Sequence, residues 1–93
     1  MAVLEDSDVQ QRLSERPDWR LQDGAIVRDL ELADFAQALA FVQRVGTAAE
    51  AANHHPDILL HGWNKVRLTL ETHSEGGLTE ADFRLAGQID ALL

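Results

Sequence analysis

Two histidines stand side by side at His54 and His55, and Pro56 follows them at once. Glu50 precedes His54 by one helical turn, and His61 and His73 lie further on. Imidazole titrates near neutrality, so it can give or take a proton at physiological pH. General acid–base catalysis is the chemistry such groups serve. On a helix, Glu50 and His54 share a face, because residues four apart are neighbours there. The carboxylate can then hydrogen-bond one imidazole nitrogen, fix the tautomer and raise the basicity of the other. Pro56 drives the residue before it out of helical geometry, which frees the His55 ring to point elsewhere. Two adjacent rings at a helix end can thus address opposite sides of one ligand.

Other readings fit the same residues. Cationic rings at a helix C-terminus are favoured by the helix dipole alone. His54, His55, His61, His73 and Asp57 are candidate metal ligands, yet there is no His-x-x-x-His pair and no cysteine to set a geometry. His73 is expected at the end of a strand, on its polar side, where a merely solvated ring is equally at home. Asp82 is explained by helix capping. Trp19 and Trp63 each follow a turn signal; such rings pack at a core margin or stack on a flat ligand. Lys65 and Arg67 read as solvated strand charges. Gly76-Gly77 lacks the spacing of a phosphate loop.

These side chains need elements to position them. A short first helix is expected over Ser7–Leu13, opened by a Ser or Asp cap and closed before Pro17-Asp18. Trp19–Gln22 alternates as a strand, Asp23-Gly24 is a hairpin turn, and Ala25–Leu32 returns. Asp34, with Gln37 three residues on, opens a long helix in the manner of a capping box. Phe35, Ala38, Leu39, Phe41, Val42 and Val45 give it a broad apolar face. The alanine-rich stretch from Thr47 continues it, and Pro56 stops it at about His55. Ile58-Leu59-Leu60 reads as a strand or its approach, and His61-Gly62 as a turn. Lys65–His73 alternates clearly, with Val66, Leu68, Leu70 and Thr72 on one side. Thr79 caps a last helix, with Asp82 at the capping-box position and Leu85, Ala86, Ile89 and Leu93 inward. Hairpins separated by helices give an α+β domain: an antiparallel four-stranded sheet with three helices packed on it. No linker-like stretch interrupts residues 1–93, so one domain is expected.

Composition bounds the function. The chain has 93 residues, a formal net charge of −8 and no cysteine. A chain of this size buries only about 60–65% of its unfolded surface, which favours oligomerisation. Missing cysteines exclude thiol nucleophiles, thiolate zinc and iron–sulfur sites. They fit a reducing compartment. The acidic balance argues against a nucleic-acid groove. No apolar run approaches the ~20 residues of a membrane span. The acidic start Met1–Asp6 lacks the marks of a signal peptide. A cytoplasmic protein is expected.

The spaced residues also form one pattern. Glu50, three residues, His54-His55-Pro56, six residues, Trp63, nine residues, His73, eight residues and Asp82 strongly resemble the pterin-4a-carbinolamine dehydratases. Asn64-Lys65-Val66 resembles that family's strand start, and Thr72-His73, Gly77-Leu78-Thr79 and Ile89-Asp90 its C-terminal region. Pro17-Asp18-Trp19, Phe35, Ala38, Phe41 and Val45 match its N-terminal half. Two departures stand out. Trp63 replaces a frequent Tyr, one residue further from the proline, and Ile58 replaces a frequent aromatic.

The resemblance implies dehydration of 4a-hydroxytetrahydropterin to the quinonoid dihydropterin, which recycles the tetrahydropterin cofactor of aromatic amino acid hydroxylases. It implies no metal, no organic cofactor, and a homodimer or homotetramer. By resemblance His54, His55 and His73 are the catalytic histidines. His54 is then the base, oriented by Glu50, and His55 and His73 are acids on the two faces of the pterin. Trp19 lines the pterin pocket, Pro56 and Asp82 border it, and Asp82 orients His73 while capping its helix. The rival class is a non-catalytic homo-oligomeric interaction module or transcriptional co-regulator, a role one animal member also plays.

Overall fold

The computed structural model describes residues 2–93. Helix α1 spans Asp6–Ser14, strand β1 Arg20–Gln22, β2 Ala25–Glu31, helix α2 Phe35–Ala52, β3 Asp57–His61 and β4 Lys65–Leu70. A short 3₁₀ turn at His73–Glu75 leads to helix α3, Glu80–Asp90. The strands form one antiparallel sheet in the order β1-β2-β4-β3. The fold is therefore α+β, as the order of elements requires.

Asp23 and Gly24 both take positive φ, 52° and 81°, the geometry of the primed turn whose twist suits a two-residue hairpin. Along β4, alternation sends Val66, Leu68 and Leu70 inward, and all three are fully buried. They meet Phe41 and Val45 of α2 and Leu85 and Ile89 of α3 in one core cluster with Ile26 of β2 and Val9 of α1. Burying each such large side chain stabilises the fold by roughly 1.5–3 kcal/mol. The Asp34 side chain accepts from Gln37 N at 2.7 Å and so starts α2.

Two of the boundaries that differ from expectation shape the site. Helix α2 ends at Ala52 rather than near His55, because Asn53 adopts the left-handed conformation with φ 50° and ψ 42°. Strand β4 ends at Leu70 rather than His73. Its neighbours run out there: β2 pairs only as far as Ile26↔Leu70, and β3 as far as Asp57↔Thr69. Thr72 instead bridges Gly77, closing a small loop in which Gly76 takes φ 74°.

Candidate active site

The left-handed residue at the end of α2 decides where the first histidine goes. Asn53 N donates to Glu50 O at 3.2 Å and His54 N to Ala49 O at 3.1 Å. This pair of bonds is the Schellman ending of a helix. It takes His54 off the helical face it would share with Glu50. The His54 side chain turns inward, and its Nε2 lies 2.6 Å from Asp82 Oδ1. Glu50 reaches His55 Nε2 instead, and that pair is exposed. The expectation that Glu50 orients His54 is thus corrected: Glu50 pairs with His55, and Asp82 pairs with His54.

Asp82 is fully buried at the first turn of α3. Its Oδ2 accepts from Thr79 N at 2.9 Å, the acid half of the capping box. The same oxygen accepts from the Thr72 hydroxyl at 2.8 Å. Its Oδ1 is given to His54. A carboxylate accepts, so His54 donates from Nε2, and in the neutral ring Nδ1 presents a lone pair. One acid thereby caps a helix and fixes a tautomer.

Asp82 does not orient His73, as the sequence had suggested. The His73 ring is 75% exposed, with Nδ1 3.4 Å from Glu71 Oε1. It is nonetheless tied to His54 through the chain: Thr72, its immediate predecessor, bonds the carboxylate that holds His54. Sequence reasoning missed the Thr72 hydroxyl and Glu71 as partners. The signal for Thr72 was available, because alternation places it inward after Leu70, and an inward hydroxyl needs a partner.

Trp19 was expected at the pterin pocket. The structure places it in the core at 3% exposure, its indole Nε1–H donating to Asp90 Oδ1 at 2.9 Å. Arg28 pairs with the same Asp90 and reaches Asp18 at 3.6 Å. Within one protomer such a ring has no face to offer a ligand; it fastens the start of β1 to the end of α3. Pro56 is half-buried between His55 and β3. Trp63 is 62% exposed at the β3–β4 turn, with a φ of 61° that side chains seldom adopt. Asn64 holds that turn: its Nδ2 donates to Leu32 O at 3.0 Å and its O accepts from Leu32 N at 2.8 Å. Among the described residues, no group of three or more His, Asp or Glu is placed to hold a metal ion. A groove between α1 and α3, lined by Arg12, Arg16, Glu80 and Arg84, contains none of the histidines.

The family model described as pterin 4 alpha carbinolamine dehydratase matches residues 2–92. The chain belongs to that family. A relative from Chloroflexus aurantiacus, named "Putative pterin-4-alpha-carbinolamine dehydratase", is 50% identical over 93 residues, covering 100% of this chain and 99% of its own. A relative of the same name from Acidobacterium capsulatum is 52% identical and matches along 100% of both chains. Among solved structures, a transcriptional coactivator/pterin dehydratase from Brucella melitensis superposes with a TM-score of 0.91. It is 34% identical over 97% of each chain. A pterin dehydratase-like protein described as a RuBisCO assembly factor in the alpha-carboxysome reaches 0.64 at 25% identity, covering 80% of this chain and 84% of its own. The family and the fold are thus those of the pterin carbinolamine dehydratases.

Proposed function

We propose that the protein dehydrates a pterin-4a-carbinolamine to the quinonoid dihydropterin, and so recycles the tetrahydropterin of aromatic amino acid hydroxylases. The observation that carries this reading is His54 with its Nε2 on the buried carboxylate of Asp82. The reaction breaks the C4a–O bond, removes the proton on N5 and forms a C4a=N5 double bond. His54 Nδ1 takes the N5 proton. Hydroxide leaves poorly, so His73 or His55 protonates it and water departs. Exchange with solvent restores the starting protonation. Each positioned proton transfer contributes typically ~10²–10⁴-fold.

On this reading no metal and no organic cofactor take part. Residues 1–93 work as one domain in the cytoplasm, as a homodimer or homotetramer. The half-exposed Phe35 and Leu39 on α2, and Leu59 on the edge strand β3, support self-association. The decisive experiment supplies 4a-hydroxytetrahydropterin from a phenylalanine hydroxylase reaction and follows its absorbance decay. Purified protein should accelerate the decay, with a chelator present or absent. A decay no faster than in buffer overturns the enzyme. A second reading, a non-catalytic interaction module, has its support in the neighbour described as an assembly factor. A null rate together with a stable protein partner would favour it.

A further inference from the structure

We propose that Thr72 is a positioning residue for His54, acting through Asp82. The inference rests on reading His54 as the base, but its test does not depend on turnover. Thr72 Oγ1 lies 2.8 Å from Asp82 Oδ2 and 2.8 Å from Thr79 Oγ1. Thr79 Oγ1 in turn accepts from Ala81 N at 3.3 Å. The proton positions follow from counting. Ala81 N–H can only donate, so it fills one lone pair of Thr79 Oγ1. The Thr79 hydroxyl proton then goes to Thr72, and the Thr72 proton to Asp82. The reverse order would set the Thr72 lone pairs against the carboxylate at hydrogen-bond distance, with no proton between them. The chain therefore runs one way, from the backbone of α3 to Asp82 Oδ2.

Two donors on Oδ2, Thr72 Oγ1 and Thr79 N, fix the plane of the Asp82 carboxylate. Oδ1 is left at a defined place, and His54 Nε2 meets it there at 2.6 Å. With the hydroxyl gone, Thr79 N alone holds Oδ2, and the carboxylate can swing about its χ2 bond. The Thr72 backbone is itself clamped. Its N donates to Gly77 O at 3.1 Å, and its O accepts from Gly76 N at 3.0 Å. The hydroxyl is thus delivered by a closed loop whose next residue is His73. One residue sets both the tautomer of His54 and the point where the His73 turn departs.

The test compares Thr72→Val, which keeps the shape without the hydroxyl, with Thr72→Ser, which restores it. The first readout is the ring nitrogen shifts of His54 by ¹⁵N-detected NMR. The wild type should show a protonated Nε2 and a bare Nδ1. Thr72→Val should show mixed tautomers, and Thr72→Ser should recover most of the wild-type signature. The second readout is turnover, where Thr72→Val should lower kcat about tenfold, the loss expected for one hydrogen bond to a charged group. A Thr72→Val protein that melts earlier yet keeps the wild-type ring signature and kcat overturns the inference, because a merely structural threonine does that. If Thr72→Val does not fold, the wild type still decides: a neutral His54 ring protonated on Nδ1, with Nε2 bare, refutes the relay. Should the wild type fail to dehydrate the carbinolamine, the ring signatures judge the relay separately from that reading.

Discussion

His54 Nε2 lies 2.6 Å from Asp82 Oδ1, across twenty-eight residues of sequence. The bond joins the end of α2 to the start of α3 and makes one carboxylate serve two purposes. Asp82→Asn should separate them. The amide keeps nearly the same shape but cannot accept from every donor around it, so the His54 tautomer is no longer fixed. Turnover should fall by about 10²-fold or more. Asp82→Ala should also lose stability, by about 1–3 kcal/mol, because Thr79 N–H and the Thr72 hydroxyl lose a buried acceptor. Steady-state rates and thermal melts of both variants check this. An asparagine variant with wild-type turnover would remove Asp82 from the mechanism.

Glu50 and His55 pair on the surface, and His73 is exposed beside Glu71. Exposed pairs of this kind are worth little. Glu50→Gln and His73→Ala should therefore keep stability within about 0.5 kcal/mol of wild type. Their effects on turnover should differ. His73→Ala loses a candidate acid and should slow turnover by about 10²-fold. Glu50→Gln should cost far less than Asp82→Asn, since it does not touch His54. Equal losses in Glu50→Gln and Asp82→Asn would contradict the partner assignment seen in the structure.

Trp19→Phe separates the core role of this ring from a substrate role. The change removes the indole donor to Asp90 Oδ1 inside a buried cluster that also holds Arg28. It should destabilise the fold by about 1–3 kcal/mol, and KM for the carbinolamine should hardly move. A large rise in KM with unchanged stability would return Trp19 to the pterin pocket.

On the opposite face of the sheet, the hydrogen bond from Arg67 holds the Asp29 carboxyl below its ordinary value; burial opposes it, and a further hydrogen bond from Arg20 adds to the lowering. A depressed carboxyl contributes stability above its unfolded pKa, near 3.9. That contribution is lost as the pH falls through the lower folded value. Asp29→Asn should therefore be less stable than wild type at neutral pH, and the gap should close in acid, as the pH falls through the lowered carboxyl value. The groups are exposed, so added salt should narrow the gap at neutral pH. Urea melts at neutral and acid pH check it, and a gap that widens in acid would contradict the assignment.

Much of this arrangement was legible in the sequence, for local reasons. The turn at Asp23-Gly24, the cap at Asp34, the capping box at Thr79 and Asp82, and the inward side of β4 each rest on a few neighbouring residues. The partners of the histidines were not legible, because they depend on one backbone angle. With Asn53 helical, Glu50 and His54 would share a face. With Asn53 left-handed, the chain turns and Asp82 receives the ring. Asparagine tolerates that conformation better than most residues, yet nothing in the neighbouring residues obliges it. For Trp19 the residue reading offered core packing beside stacking, and the resemblance placed the ring at the pocket. Its partner Asp90 is seventy-one residues away, beyond the reach of spacing arguments.

The last prediction concerns assembly. Phe35 and Leu39 sit one turn apart on α2, each 49% exposed, while Ala38 and Phe41 face the core. Apolar residues on both sides of one helix leave the outer side in need of cover. A second copy is the simplest occupant for a chain whose own core is small, since each Å² of apolar surface removed from water contributes roughly 25 cal/mol. Replacing both residues, Phe35→Glu and Leu39→Glu, places carboxylates on that strip. Light scattering should then show a smaller species than wild type. The melting temperature should fall, and it should lose its dependence on protein concentration. The His54 ring should keep its tautomer, because Asp82 lies within the same chain. A wild type that is monomeric at every concentration, or a double variant of unchanged mass, would show that this face of α2 does not carry the contact.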